Sequence, residues 1–519
     1  MFRLTPHTPI LHTPRLALAA AIAFGLSGCG GGAADSLGNA SRSATLANAE
    51  QPQDAQPHFH IAPVLLDQPT SMDADGSEAS AHEAAASQAV LARLEHVSSA
   101  RLELETLKRK TEEVISQEGP KPATSTSTVA SVYTPAQIRA AYQLPPMAGV
   151  NLTGNPALGA ATAAQFGSGQ TIYIIDAYND PNVASDLAQF SAQWGLPTCT
   201  RLTIAASTKL PLAAAPAGSG CEFAVVYASQ SGVLSASVPA YSSGWAPEIS
   251  LDTQWSHAIA PMARIILIEA QDASSPSILG AIKLANSLGP GVVSMSFGSP
   301  EGSYVPSYDG MFTTKGMSYV ASTGDSGVGV AWPAVSTNVL GVGGTSLTLG
   351  SNNVRSETAW SGSSGGISTT EPLPSWQPAY VIAASGSTKA TSSTHRELPD
   401  VSFNANPYTG QYVYMTPPGS SGEWLSAGGT SIGAPQWAAL ITLANAERQA
   451  SAKAAIGLTQ TDLYKEIYDV KGTYTTTMLD VTSGSNGSCA SCQAGVGYDL
   501  VTGMGTPNAL SVLKILEAY

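Results

Sequence analysis

Charge is scarce in this sequence. Asp, Glu, Lys and Arg together make up 12% of the 519 residues, and the basic side chains are the scarcer, 23 against 37 acidic. The resulting net charge of −14, with no basic stripe and no clustered aromatics, excludes nucleic acid as the partner. Histidine is scarce too: of eight, only His257 and His395 follow residue 100, so a histidine-based catalytic triad has little to draw on. No apolar run beyond the N-terminal leader is long enough to cross a bilayer, and no internal repeat is present. What is plentiful is glycine (50), proline (34) and apolar residues (43%), the composition of a large globular core under a loop-rich surface of small residues.

The compartment is written at the N-terminus. Arg3 and Arg15 precede the run "LALAAAIAFGLSGC", which suits a signal-peptide core rather than a membrane span. Its end, Leu26-Ser27-Gly28-Cys29, resembles a bacterial lipobox, which implies a signal peptide over 1–28, cleavage before Cys29 and a lipid anchor on its thiol. An ordinary secretory signal with an incidental cysteine is the alternative. Either way an extracytoplasmic protein is expected, membrane-anchored or secreted. The four remaining cysteines, Cys199, Cys221, Cys489 and Cys492, then read as two disulfides, most simply within each near pair. A zinc site is disfavoured because no histidine lies near either pair in sequence.

Residues 30 to about 85 are rich in Ala, Ser, Gly, Asp and Gln and read as a flexible tether. From 84 to 117, Val90, Leu91, Leu94, Val97, Leu102, Leu104 and Leu107 recur at helix-like spacing, which predicts one long amphipathic helix or a helical hairpin. "GPKPATSTSTVAS", 119–131, reads as a linker, so 29–131 is expected to be tether, propeptide-like helical segment and linker, with the main domain over 132–519. There "TIYIIDAY", "RIILIEA", "VVSMSF", "SYVAST" and "VLGVGG" are short apolar runs with helical stretches between several of them. This is the pattern of an α/β fold whose mainly parallel sheet is covered on both faces, where sites gather at the carboxyl ends of strands.

Three segments carry chemistry. In "APEISLDTQWSHAIAP" Pro247 fits a first helical turn, and Glu248 and Asp252, four apart, stack on one helix face with apolar and aromatic neighbours and no basic residue among them. Two carboxylates so placed are expected to share a proton, with one pKa raised; a solvated acidic face is the alternative. Asp325 lies in a Gly turn after "SYVAST", a place where Asp often only makes the turn. Ser431, in "GGTSIGAP", stands at the start of a helix, where it is either a cap or a nucleophile beside free backbone N–H groups.

From about Tyr133 to the C-terminus the chain resembles the sedolisin family of serine-carboxyl peptidases. "YTPAQIRAAYQL", "PEISLDTQWSHAIAP", "VVSMSFGSPEG", "ASTGDSG", "RELPDVSFNANPYTG" and "GGTSIGAP" occur in the family's order. The resemblance implies a subtilisin-like fold and hydrolysis of protein or peptide substrates at acidic pH by an endopeptidase. Ser431 would be the nucleophile, Glu248 the general base, Asp252 its orienting partner, and Asp325 a protonated donor to the oxyanion. It also implies one structural Ca2+ near the C-terminus, held by Asp480 and Asp499 and by the carbonyl oxygens of Val481, Gly495 and Gly497, with "CASC" stapling the loop between them. A monomer is expected.

Two departures stand out. The family's large α/β prodomain has only about a hundred residues to correspond to it here, and the serine motif begins Gly-Gly-Thr where Ser-Gly-Thr is commoner. His257 and His395 read as structural, and Asp176, at a strand end, as structural or as a secondary electrostatic contributor. The rival reading is a catalytically silent surface binding module on the same fold.

Overall fold

The computed structural model describes residues 53–69, 85–118 and 128–519, apart from 101, 148, 153, 155, 157, 219, 351–353, 378–379, 383–387, 391–392 and 471. The signal peptide, the lipobox and Cys29 lie outside the described residues, as does most of the expected tether. No helix among the described residues is long and apolar enough to cross a membrane.

The apolar runs become a ten-stranded sheet in the order Arg355–Ala359, Leu340–Leu349, Met317–Ser322, Gly291–Met295, Thr171–Ala177, Arg264–Ala270, Glu222–Ala228 and Thr200–Arg201, with Val401–Asn404 and Leu234–Ser235 pairing off this path. Its central pairings are parallel. Because successive side chains of a strand point to opposite faces, each central strand feeds two cores at once. Ile172, Ile174, Ile265 and Leu267 pack under the helices Ala246–Ile259 and Thr430–Ala450. Tyr173, Ile175, Ile266 and Ile268 pack on the other face with the helix Ser275–Leu288. Burial on both faces is why these strands read as unbroken apolar runs rather than alternating ones. The result is a subtilisin-like α/β fold.

The helix carrying Glu248 and Asp252 is buried along its whole length. Pro247 sits in its first turn, where a missing N–H costs nothing. Its far end is closed by a buried arginine: Arg139 donates to the carbonyl oxygens of Ala258 at 2.9 Å and Ile259 at 2.8 Å. Trp255, on the same helix, donates to the carbonyl of Tyr412 at 3.0 Å within a cluster that includes Phe190, Trp194 and Trp424.

The N-terminal third differs from expectation. The stretch read as tether contains the strands Gln56–Pro57 and His60–Leu66, which pair antiparallel with Phe297–Pro300 and Glu423–Gly428. Residues 84–117 are not one helix: Ala86–Ala89 pairs with Val129–Val132, which the linker reading had covered in part, and the helix runs only over Leu104–Glu118. Val90, Leu94 and Leu102 are nevertheless buried, because tertiary packing rather than helical periodicity takes up the apolar residues. Residues Glu50–Tyr519 form one compact unit.

Both expected disulfides are present, Cys199–Cys221 and Cys489–Cys492. The expectation that no histidine approaches either pair does not survive folding. His257 lies with Nδ1 3.7 Å from the sulfur of Cys199, although its own helix is some sixty residues further along the chain. With both sulfurs in a disulfide, the pair offers no thiolate to a metal.

Candidate active site

Ser431 is not a helix cap. The helix Thr430–Ala450 is entered through Gly429 at φ +97°, with no side-chain cap, and Ser431 lies within its first turn. The turn needs glycine for space as well as for φ. A Cβ at 429 would stand 2.2 Å from the carbonyl oxygen of His58 and 2.7 Å from Oδ2 of Asp325.

The hydroxyl of Ser431 donates to Oε2 of Glu248 at 2.9 Å. It also lies 3.1 Å from the carbonyl oxygen of Ser296, which follows the strand Gly291–Met295. Ser296 in turn donates its hydroxyl to Oδ1 of Asp252 at 2.7 Å. That leaves Oε1 of Glu248 and Oδ2 of Asp252 buried with no donor facing them. One proton held between the two carboxyls satisfies both oxygens, and the two groups lie within hydrogen-bond reach.

Burial is the main cause that raises Glu248 well above the ordinary carboxylate range, and the nearby charges of Asp252 and Asp176 add to it. Asp252 is raised well above that range for the same reasons, burial first and Asp176 next. Asp176, at the end of Thr171–Ala177, is itself pushed up to about 8 by burial, with neither oxygen hydrogen-bonded. The cluster is therefore a triad of buried carboxyls with no cation in its midst among the described residues, and it is stable only if it keeps protons.

Asp325 follows the strand Met317–Ser322. Its Oδ1 accepts from the N–H and the hydroxyl of Thr430, both at 2.8 Å. Burial pushes its pKa up to about 7 against those two hydrogen bonds, so it is protonated in acid. Its Oδ2 lies 3.3 Å from Nε2 of His60, close enough for an ion pair but not aligned as a hydrogen bond. The backbone N–H of Ser431, 3.1 Å from the carbonyl oxygen of His58, points into the same space beside Gly429.

The histidines after residue 100 stand apart from this constellation. His257 is buried, with Nε2 2.9 Å from the carbonyl of Pro197 and a pKa lowered by burial to about 4. His395 sits at the strand His395–Leu398, with Nδ1 3.0 Å from the hydroxyl of Thr394.

Near the C-terminus, Asp480 and Asp499 line one loop. Oδ2 of Asp480 accepts from the N–H of Gly497 at 2.8 Å, and Oδ2 of Asp499 from the N–H of Gly495 at 3.0 Å. Among the described residues neither carboxylate has a basic partner. Burial raises both, Asp499 to about 7. Oδ1 of Asp480 also accepts from the hydroxyl of Tyr474 at 3.0 Å, and Oδ1 of Asp499 from the N–H groups of Val501 at 2.9 Å and Thr502 at 2.7 Å, so the loop holds both carboxylates through hydrogen bonds.

Comparison with known proteins bears on the fold and on the class of enzyme. Residues 242–497 match the subtilase (peptidase S8) family. Kumamolisin of Bacillus sp. (strain MN-32) is 29% identical over 429 residues, covering 77% of this chain and 66% of kumamolisin. Sedolisin of Pseudomonas sp. (strain 101) is 31% identical over 240 residues, 41% of this chain and 36% of sedolisin. Over most of its length the chain is similar to peptidases of the sedolisin group. It spans about two thirds of kumamolisin and about a third of sedolisin. At the level of fold, the solved structure of Pseudomonas sedolisin, a serine-carboxyl proteinase in complex with pseudo-iodotyrostatin, superposes with a TM-score of 0.55 at 24% identity, covering 75% of this chain and 99% of that one.

Sequence reasoning missed His58, His60 and Ser296. "QPHFHIAPVLL" alternates and then runs apolar inside an otherwise polar stretch, and that signal of a strand was available.

Proposed function

We propose that the chain is a serine-carboxyl endopeptidase that hydrolyses peptide bonds in acid through an acyl-enzyme on Ser431. The observation that carries this reading is the contact from the Ser431 hydroxyl to Glu248, 2.9 Å, beside two carboxyl oxygens that only a shared proton can satisfy. Ser431 attacks the substrate carbonyl while Glu248 takes the hydroxyl proton, and Asp252 receives part of that charge through the shared hydrogen. The developing oxyanion lies between the N–H of Ser431 and the protonated Oδ2 of Asp325, both fixed in advance in a buried site. Glu248 then returns its proton to the leaving amine, and water releases the acyl group by the same route. Ser296 holds Asp252 in register by donating its hydroxyl proton to Oδ1.

Calcium belongs to the same reading. Asp480 and Asp499, with the carbonyl oxygens of Val481, Gly495 and Gly497, would hold one ion that neutralises the loop and fixes it; the ion takes no part in the chemistry. Export, with anchoring through Cys29, rests on the N-terminal sequence alone, and the mass of the mature N-terminal peptide tests it. Nothing in the site favours a silent binding module.

The decisive experiment is active-site labelling by a peptide aldehyde, which forms a hemiacetal with a competent serine. Labelling of the native chain at acidic pH and none of Ser431→Ala is the expected result. Equal labelling of both would remove Ser431 from the mechanism.

A further inference from the structure

Cys199, Cys221 and His257 form a cluster that the mechanism above does not use. The two cysteines stand immediately before neighbouring strands of the main sheet, Thr200–Arg201 and Glu222–Ala228, which pair in parallel with Thr200 opposite Glu222. Their Cα atoms are 4.4 Å apart. Backbone bonds hold them there apart from the disulfide: the N–H of Thr200 donates to the carbonyl of Cys221 at 2.8 Å, and the N–H of Leu202 to that of Phe223 at 2.9 Å. Cys221 is buried, whereas Cys199 is half-buried between two exposed threonines, Thr198 and Thr200, so the cluster has one side towards solvent.

The fold supplies the histidine that the sequence neighbourhood lacks. His257 lies in the last turn of Ala246–Ile259, fully buried, with Nδ1 3.7 Å from the sulfur of Cys199 and Nε2 2.9 Å from the carbonyl of Pro197. A carbonyl only accepts, so the ring proton is on Nε2. Nδ1 is left with a free lone pair, and the disulfide sulfur that it faces has no proton to give. Burial lowers the ring's pKa to about 4, so it is neutral at neutral pH.

This is how a metal-ligating histidine is prepared: one nitrogen donates to a backbone carbonyl, which fixes the tautomer and aims the other nitrogen. Ligand atoms of all three residues lie within 4.8 Å of one another. A tetrahedral zinc ion, with bonds of about 2.3 Å to sulfur and about 2.05 Å to nitrogen, needs a sulfur–nitrogen edge of about 3.6 Å. The Cys199–His257 contact already has that length.

We propose that, once its disulfide is reduced, the Cys199–Cys221–His257 cluster is a binding site for Zn2+, with the two thiolates and Nδ1 of His257 as ligands and a water on the Cys199 side as the fourth. A dithiol supplies the two electrons and two protons of the reduction and leaves as its own disulfide. Zn2+ then displaces both thiol protons to solvent, forming two zinc–sulfur bonds and one zinc–nitrogen bond, while Nε2 keeps its proton against Pro197. The sulfurs must part to about 3.8 Å, the sulfur–sulfur edge of the same tetrahedron, by rotation of the half-buried Cys199 side chain. Thiolate and imidazole ligands favour zinc over the hard cations that all-oxygen sites take. The disulfide joins only two strands, whereas the metal ties them to the helix that carries Glu248 and Asp252.

The test uses the full chain carrying Cys29→Ser, Cys489→Ser and Cys492→Ser, so that residues 199 and 221 are its only thiols. It is reduced with a dithiol, freed of the dithiol under exclusion of air, and titrated with Co2+ as an optical stand-in for Zn2+. Expected is one Co2+ per chain, with a thiolate charge-transfer band and the visible bands of a tetrahedral site, all abolished by one equivalent of Zn2+. The oxidised chain should show none of them. His257→Gln keeps a donor for Pro197 but has no Nδ1, and should weaken Co2+ binding at least about tenfold. Cys221→Ala removes a ligand without touching the helix and carries the same expectation should His257→Gln fail to fold.

The absence of a thiolate band in the reduced chain, one Co2+ shared between two chains, or binding in either variant as tight as in the parent would each overturn the site. Folding is followed by circular dichroism throughout, and a chain that unfolds on reduction even with Zn2+ already present overturns it equally.

Discussion

Two groups of carboxyls lie equally deep in this protein and behave oppositely. Asp400 is gripped by Arg396 through two hydrogen bonds, 2.7 and 2.6 Å, and also accepts from Tyr464 at 3.0 Å and from the N–H of Gly341 at 2.8 Å. Burial alone would ease the proton off Arg396, but the Asp400 charge outweighs it and raises the guanidinium further. Glu248, Asp252 and Asp176 have the same burial and no cation. The first arrangement fixes charge in place; the second keeps protons on call. A buried carboxylate with its counter-charge is structural, and one deliberately left without it can do acid–base work.

The largest effect expected within this contrast is on chemistry. Ser431→Ala should lower kcat by about 10^6-fold, the loss seen when a catalytic-triad serine is removed, with the melting temperature nearly unchanged. Glu248→Gln should follow it with a loss on the order of 10^2- to 10^4-fold, as expected for a missing general base. Residual turnover within tenfold of native in either variant would dissolve the distinction between the two clusters.

Next come variants that should move stability and activity in opposite senses. Arg396→Met leaves Asp400 unpaired and should cost about 3–5 kcal/mol in denaturant unfolding. Asp252→Asn removes a repelling charge, so its midpoint at neutral pH should hold or rise while turnover falls. A drop in stability for Asp252→Asn as large as that for Arg396→Met would show that both clusters are structural.

The pH dependence sharpens the comparison. Asp325 at about 7 and Asp176 at about 8 hold protons in the folded protein that the unfolded chain gives up near its ordinary value of about 4. The native state therefore binds more protons across that interval, and the stability these two groups contribute is fully present below pH ~4 and is lost as pH rises towards 8. Turnover should fall on the same limb as Asp325 ionises through about 7. Since His60 faces Asp325, the profile is read in His60→Gln as well. A melting temperature that climbs from pH 4 to 8 would contradict the cluster's protonation.

A smaller shift is expected from chelation. If the Asp480–Asp499 loop holds Ca2+, removing the ion should lower stability by about 2.7 kcal/mol where free calcium had stood at a hundred times its Kd, and by far less in Asp499→Ala. The smallest effect is His395→Ala, which should leave kcat/KM within about twofold, since it lies outside the cluster; a surface change of this kind moves stability by about 0.5 kcal/mol at most.

The sheet was legible because its strands are buried on both faces, and the serine, the carboxylate pair and Asp325 stood out because each follows a strand or opens a helix at a glycine or proline. Their proximity was legible only through the family resemblance, since Glu248 and Ser431 are 183 residues apart in sequence. What misled was composition. Residues 53–66 have a polar surround, yet His60, Ile61, Leu65 and Leu66 find partners in Glu423–Gly428, a pairing that only the folded sheet edge creates. Likewise Leu94 and Leu102 satisfy a helical period but are buried as irregular chain packed on the core.

Arg139 gives the chain a minimum length. By closing the last carbonyls of the helix whose first turn carries Glu248, it ties a residue near the start of the main domain to the far end of the element that positions the base. Trimming from the N-terminus can proceed through the strand His60–Leu66 and the helix Leu104–Glu118 without touching this bond. Trimming past Arg139 opens the carbonyls of Ala258 and Ile259 inside the core, where no water replaces the lost donor. However much of the front of the chain is discarded, the working enzyme must begin before residue 139.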